Sequence, residues 1–445
     1  MGKTRSPPFD LVENQELIVK FAKSIDPITG RLALASMLRE GSPLGALKIL
    51  YSRIGRFFQI PLPAFHPFVV GGPQSARKVL VTDRDKVKWR NVDPVTDLLR
   101  HGVLVVDGEE HDQYRKLMEP PLHPSKLNNY VQLMLASTDR VTSQWRDGQA
   151  VDMLVESRKI ALLIVMEALF SMDVWDDLPR IWIPILKAVE YISPGAWIIW
   201  RKIPRLGYKK HLKQLNDYLY GIISSRRMDA PKADLLQHLI DAGLSDDRIH
   251  DQMLTMLIAG HDTSTALLAW TFYLLGSHPE IHERLLRELD ETIGMNLPFA
   301  SGGWQPHLLD EVIKESLRLY PPIHIGNRIV SEDMDFDGNC VPAGERLFYS
   351  IYLTHRDAEH WENPDGFHPE RFEHGRKQPP YAYIPFGGGP RSCIGAAFGQ
   401  VEARLVIARL LQTFTFDLMN KKVHAHMGAT LEPRPGVMMR VSHRK

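Results

Sequence analysis

A chain of 445 residues with 44% apolar and 24% charged side chains has the composition of an ordinary globular protein, long enough for about three domains or one large fold. A formal net charge of +1 excludes a chain-wide electrostatic bias toward nucleic acid, and two cysteines, Cys340 and Cys393, exclude a disulfide scaffold and fit a reducing cytosol. The N-terminus is polar and no early apolar run approaches the ~20 residues of a membrane span, so a cytoplasmic chain without secretion signal or transmembrane anchor is expected.

No internal repeat is evident and prolines and glycines are scattered, so residues 1–445 read as one unit. From about 55 to 85, Phe57–Ile60 and Phe68–Val70, followed by Gly71, Gly72 and Pro73, predict two short strands, and Ala76–Leu80 a helix. An irregular stretch then carries Leu98, Leu99, Val103, Leu104, Val105 and Val106. A helix opens at Gly108 with Glu109 and Glu110 in its first turn, where the dipole favours acids. His111 and Arg115 share one of its faces, which on spacing alone is a solvated surface. Residues 125–240 read as successive helices. Within them the aromatic run Ile181–Trp200, followed by basic residues up to Lys213, is interrupted by Pro184, Lys187, Glu190 and Pro194 and is no spanning helix. Core helices, a lid over a lipophilic pocket and an interfacial membrane contact all fit the run.

Ser245–Gly276 is the longest predicted helix, capped by Ser245 with Asp246 and Asp247 and stopped by Gly276 and Pro279. Midway, Ala259-Gly260-His261-Asp262-Thr263-Ser264 interrupts apolar turns. An unpaired buried polar group costs on the order of 1–3 kcal/mol. Either Thr263 bonds back to a carbonyl one turn earlier and Asp262 sits in an ion pair, or the helix opens locally to take a small ligand beside a proton-donor pair. Helices over Pro279–Ile293 and Pro306–Tyr320 follow, the second with Glu315 and Arg318 on one face. Ile323–Val330 is extended, Phe336–Gly338 and Val341–Gly344 are turns of a small hairpin, and Arg346–Tyr352 is a returning strand.

The run Phe386–Gly395 sets Cys393 in a glycine-rich loop just before a stretch where Phe398, Val401, Leu405, Ala408 and Leu411 recur at helical spacing. A thiolate in an apolar interior needs compensation, and a helix N-terminus supplies free N–H groups and positive dipole. Gly387, Gly388, Gly389 and Gly395 let backbone approach a flat ligand where a Cβ would collide, and Phe386 is placed to shield the sulfur. These residue types point to a metal ligand; a glycine-rich hairpin with an inert cysteine is the alternative.

Phe386, Gly389, Arg391, Cys393 and Gly395 stand at the spacing of the haem-binding loop of the cytochrome P450 family, which the chain resembles from roughly residue 55 to 440. The resemblance implies a mainly α fold with small β-sheets, as a single large α-rich domain with a minor β-rich N-terminal region. Strands are expected at about 55–85 and 323–352, and the haem loop with its helix at 386–414. It implies haem b with Cys393 as axial thiolate. Phe386, Gly387, Gly395, Ala259 and Gly260 would lie against the haem, and His111, Arg115, Arg328 and Arg391 on its propionates. Ala259–Ser264 resembles the oxygen-binding segment, which makes Thr263 the hydroxyl that steadies dioxygen and Asp262 the carboxylate that relays protons. Glu315, Arg318 and Arg371, the last in Pro369-Glu370-Arg371-Phe372, would form a buried charge cluster fixing the haem loop, a bidentate role that lysine does not fill. Leu99, Val103, Ile323, His324 and Ile325 are substrate-contact candidates, and the run at 181–205 corresponds to the lid helices and their connecting loop.

The implied activity is that of a haem-thiolate monooxygenase, inserting one atom of O2 into a lipophilic small molecule. The residues after Cys393 are too few for a flavin or iron–sulfur domain, so electrons are expected from a separate ferredoxin or flavoprotein reductase. A peroxide-using or rearranging haem-thiolate enzyme is the second reading, and Asp262 with Thr263 counts against it. A non-catalytic haem-binding sensor is a third reading. A monomer is expected, with no nucleic-acid partner and with peripheral membrane contact through 181–205 left open.

Overall fold

The computed structural model describes residues 25–60, 65–89, 93–195, 205, 207–298, 304–373 and 376–444. Most of the connection expected to belong to the aromatic lid, 196–204, lies outside them, as does the polar N-terminus. Asp26 and Ser42 cap two helices that open on proline, α1 (Pro27–Glu40) and α2 (Pro43–Ile54). Strands β1 (Phe57–Gln59) and β2 (Phe68–Val70) lead into α3 (Pro73–Arg77), which continues as a π turn over Lys78–Thr82, and then β3 (Val87–Lys88). Next come α4 (Pro94–Leu99), α5 (Gly108–Leu122), α6 (Val131–Thr142) and β4 (Gln149–Asp152). Helices α7 (Met153–Phe170), α8 (Leu178–Ile192), α9 (Lys209–Met228), α10 (Leu235–Asp241), α11 (Asp246–Ser277), α12 (Pro279–Thr292) and α13 (His307–Leu319) form the body. Strands β5 (Ile325–Val330), β6 (Met334–Phe336), β7 (Asn339–Val341) and β8 (Arg346–Ser350) precede the short α14 (Ile351–Thr354). The chain closes with α15 (Ala396–Thr413), β9 (Phe414–Leu418), β10 (His424–Met427), β11 (Leu431–Arg434) and β12 (Met438–His443).

The main sheet runs β1-β2-β8-β5-β3, with β2 and β8 parallel and the other pairs antiparallel. Two of its three inner strands, β8 and β5, come from residues 325–350, so the early strands are completed by later ones, as the two expected strand regions together require. Sequence patterning gives no sign of β4, β9 and β12, which pair as one small sheet, because two of these strands run straight on from or into a helix with no turn residues between. It is also silent on α1 and α2.

Helix α11 is buried along nearly its whole length and packs most extensively on α7, whose apolar residues lie all round it and are buried accordingly. At its far end Trp270 stacks on Tyr320 and donates from Nε1 to the carbonyl of Leu431 at 2.7 Å, tying α11 to the β10–β11 hairpin. Between α11 and α15, Ser264 donates to Glu402 at 2.6 Å. Burial pushes the Glu402 carboxyl up to about 8, against the Ser264 hydrogen bond that favours the anion.

A buried arginine organises the other side. Arg318 is fully buried and all its N–H groups are engaged. Nε and Nη2 grip Glu315 at 2.6 and 2.7 Å, Nη1 reaches the carbonyls of His355 and Pro364 at 2.9 and 2.7 Å, and Nη2 that of Gly366 at 2.9 Å. Arg371 adds its Nε at 3.4 Å from Glu315 and donates to the Asn363 carbonyl. His355, held neutral because burial and then the neighbouring Arg318 push its pKa to about 3, donates from Nδ1 to the Arg318 carbonyl and accepts at Nε2 from the Ile384 N–H. Cluster and glycine-rich loop are thus joined through one imidazole.

Replacing Arg318 by lysine removes the fork and leaves Glu315 and carbonyls unpaired, so unfolding free energy by chemical denaturation is expected to drop by about 3–5 kcal/mol. Glu402 gives a pH test. Its folded pKa of about 8 exceeds the usual 4.5, so its contribution is full below pH 4.5 and is lost as pH rises through 8. Glu402→Gln is expected to match the parent in stability near pH 4 and to exceed it above about pH 8; a variant less stable than the parent at the higher pH would contradict the assignment.

Candidate active site

The loop that carries Cys393 is shaped by its own backbone. Gly387 and Gly389 have φ of 71° and 66°, left-handed values that a Cβ disfavours. A Cβ on Gly389 would stand 2.2 Å from the carbonyl oxygen of Leu80, so at that position no side chain fits. The Cys393 N–H closes the loop on the Phe386 carbonyl at 2.8 Å. Gly395 caps α15, and its N–H reaches the Cys393 sulfur, favouring the thiolate. Phe386 is half-buried against the main core.

By surface area Cys393 is exposed, yet desolvation pushes its thiol pKa up, with the Gly395 N–H and Arg115 opposing. Both hold if the accessible sulfur faces an interior space rather than bulk water, and its crowding by protein favours that reading. Helix α11 shows the same combination. Its turns over Ile249–Ile258 and Ser264–Phe272 are buried, while Ala259 is exposed and Gly260 and Thr263 are half-exposed between them. Helix α11, which bears the strip, is joined to α15, which follows the thiol-bearing loop, by the Ser264–Glu402 bond.

Cations gather beside the loop. Arg115 donates to the Ser392 carbonyl at 2.6 Å; Arg391 donates to the Val106 carbonyl and to Asp107. Arg328 donates to the Asn327 carbonyl at 2.8 Å and lies 4.9 Å from the Trp89 ring centroid. His111 is buried with Nδ1 2.8 Å from Asp112. Its pKa is lowered first by burial, then by Arg391 and Arg115; that of Arg391 is lowered by burial and by Arg328. Among the described residues neither Arg115 nor Arg328 has a carboxylate partner. Like charges that depress one another need anions.

The residues fit a flat, anionic, thiolate-bound cofactor on three grounds. The sulfur is accessible although protein crowds it, Arg115 and Arg328 have no carboxylate partner among the described residues, and a Cβ on Gly387 or Gly395 would meet nothing within 4 Å.

Thr263 donates back to the Ala259 carbonyl at 2.7 Å, and Asp262, 1% exposed, accepts from Arg158 at 3.2 Å and from Thr430 at 2.8 Å. The two readings of this segment therefore coexist: the side chains are locally paired while the strip around them is open. Burial raises the Asp262 carboxyl despite Arg158, which also donates to Glu432. Of the proposed substrate contacts, Leu99 and His324 are buried and offer almost no surface, His324 being held neutral with burial lowering its pKa to about 4. Val103 and Ile325 are half-buried and Ile323 is exposed. Arg158, Glu402, Thr430 and Glu432 were not singled out from sequence, and Ser264 was named only as the end of the Ala259–Ser264 segment. Arg158 had a signal, a lone guanidinium among the apolar residues of α7; Thr430 and Glu432 had none, because their partners lie more than a hundred residues away.

The sequence model of the cytochrome P450 family matches residues 27–438. Pentalenene oxygenase of Streptomyces avermitilis is 30% identical over 376 residues, covering 80% of this chain and 83% of the relative. Cyclooctatin synthase of Streptomyces melanosporofaciens is 27% identical over 431 residues, covering 89% and 91%. Among solved structures, a retinoic acid-bound cyanobacterial CYP120A1 superposes with a TM-score of 0.80 at 24% identity, covering 89% of this chain and 94% of that one. The fold, the thiol-bearing loop and these matches together assign the chain to the cytochrome P450 family of haem-thiolate monooxygenases, to which it belongs.

Proposed function

We propose that this chain oxygenates a lipophilic cyclic terpenoid, with Cys393 as the haem ligand and electrons from a separate ferredoxin or flavoprotein. The observation that carries the reading is the Cys393 thiol, accessible yet enclosed by protein, with unpaired cations beside it. The terpenoid class is supported by the relatives' names, pentalenene oxygenase and cyclooctat-9-en-7-ol 5-monooxygenase, at 30% and 29% identity. It is also supported by the partly accessible apolar side chains of Val103, Ile323 and Ile325.

Haem b bound to the Cys393 thiolate supplies activation of O2 and transfer of one oxygen atom to a carbon centre. The chain's own residues do the rest. The Gly395 N–H stabilises the negative sulfur, and Phe386 keeps water from it. Arg115 and Arg328, which have no carboxylate partner among the described residues, would hold the propionates together with Arg391 and His111, whose present partners are Asp107 and Asp112. Ala259 keeps side-chain bulk off the strip that dioxygen must reach, while glycine at 260 lets α7 pack close, since a Cβ there would stand 2.8 Å from a Val165 methyl. Thr263, once its hydroxyl turns from the Ala259 carbonyl, donates a hydrogen bond into that space. Asp262 relays protons to the hydroxyl after leaving Arg158 and Thr430, and burial, which raises its pKa, favours the protonated form that such a relay needs. Glu315, Arg318 and Arg371 hold the loop and touch no substrate.

Two measurements test this. Cyclic terpenoids, steroids and fatty acids are titrated against the ferric protein and read by the optical shift that accompanies loss of the axial water; a terpenoid is expected to bind best, and a fatty acid binding where no terpenoid does would sink the substrate class. In Thr263→Ala the fraction of reductant recovered as product is expected to fall about tenfold, with peroxide making up the difference. Unchanged coupling would remove Thr263 from proton delivery.

A further inference from the structure

Upstream of its open strip, α11 carries a polar cluster that the oxygenase reading does not use. Asp251, Thr255, Ala259 and Thr263 recur every four residues and so lie along one stripe of the helix. The Ala259–Thr263 end of the stripe is accessible, and the Asp251–Thr255 end is covered by segment 100–103, which follows α4. The cover is close. A Cβ on Gly102 would stand 1.8 Å from the Thr255 hydroxyl and 3.2 Å from the Asp251 carbonyl oxygen. The segment therefore ends about one helical turn, ~5.4 Å, before the open strip begins.

Side chains of α11 hold the backbone of this segment. Arg100 donates from Nε to Asp251 at 2.7 Å, and the His101 N–H donates to the other carboxylate oxygen at 3.2 Å. The Val103 N–H donates to Gln252 Oε1 at 2.8 Å, while Gln252 Nε2 returns a bond to the His101 carbonyl at 2.8 Å. Arg100 Nη2 also meets His250 Nδ1 at 2.8 Å, and His250 Nε2 bonds Asn216 of α9 at 3.0 Å beneath the stacked ring of Tyr220. Asp251 and Gln252 are 1% and 0% exposed, so lifting the segment strands a buried carboxylate and a buried amide. Arg100 sits at φ 47°, a conformation that non-glycine residues rarely adopt, and the bonds to α11 keep it there.

We propose that Asp251 and Gln252 are positioning residues that clamp segment 100–103 as the end wall of the substrate pocket, and that this clamp sets the size of ligand admitted and how long it stays. The proposal rests on reading the Ala259–Thr263 strip as pocket floor. A ligand small enough to sit over the strip leaves the wall in place; a longer one must displace Val103 and break the Gln252 pair.

Gln252→Leu, with Arg100→Gln as the more exposed second variant, is compared with the parent holoprotein by two readouts. Amide hydrogen exchange at His101 and Val103 is expected to accelerate about tenfold or more in Gln252→Leu. Release of 4-phenylimidazole, followed optically after mixing, is expected to be about tenfold faster while release of imidazole changes by less than about twofold. Unaltered exchange and release in both variants overturns the clamp, and so does equal acceleration of both azoles, which marks general loosening. Exchange at these amides is read whether or not a thiolate-ligated haem is present. A failure of the oxygenase reading, seen as loss of the thiolate-type carbon monoxide spectrum in the parent itself, is therefore distinct from a failure of the clamp.

Discussion

A cysteine inside a protein is driven toward its neutral form, and nearly everything around Cys393 bears on that conflict. Burial raises its pKa; the Gly395 N–H and Arg115 oppose the rise but do not reverse it. A thiolate at this place would be favoured by a cation on the sulfur itself, which the iron of a bound haem would supply. Helix α15 starts at Ala396, three residues on from Cys393, with Gly395 as its cap.

The rest of the fold keeps that sulfur in one position. The loop is closed by its own backbone, pressed against Leu80 where glycine alone fits, and anchored at Ile384 by His355. His355 in turn hangs on Arg318, whose five donors are divided between Glu315 and three carbonyls. These groups are buried and each depends on the next, so loop geometry is set by a network and not by a single contact. Helix α11 holds one short accessible strip between buried turns, and polar groups near it are paired, Asp262 with Arg158 and Glu402 with Ser264. The strip itself is left apolar apart from Thr263.

Much of this was legible in the sequence, for identifiable reasons. Cap and stop residues marked α11 to within one residue at each end, since Ser245, Asp246 and Pro279 act locally. The glycine-rich loop was legible because its chemistry is contiguous, and the Glu315–Arg318 pair because it lies on one helical face. Strands β4, β9 and β12 were not, since their pairing joins residues near 150 to residues near 440 and short strands carry little periodic signal. Thr430 and Glu432 were missed for the same cause: an ion cluster assembled from three distant segments marks, at most, its lone guanidinium, Arg158. Leu99, a substrate-contact candidate on the resemblance, is buried in the structure, and an apolar residue of this kind has no local pattern that separates a pocket wall from core.

The most direct test replaces Cys393 by serine and records the spectrum of the purified, reduced protein under carbon monoxide. With sulfur as the iron ligand, the variant loses the thiolate-type Soret band that the parent displays, whether or not it still retains haem. An unchanged thiolate-type band in the serine variant would contradict the account at its centre.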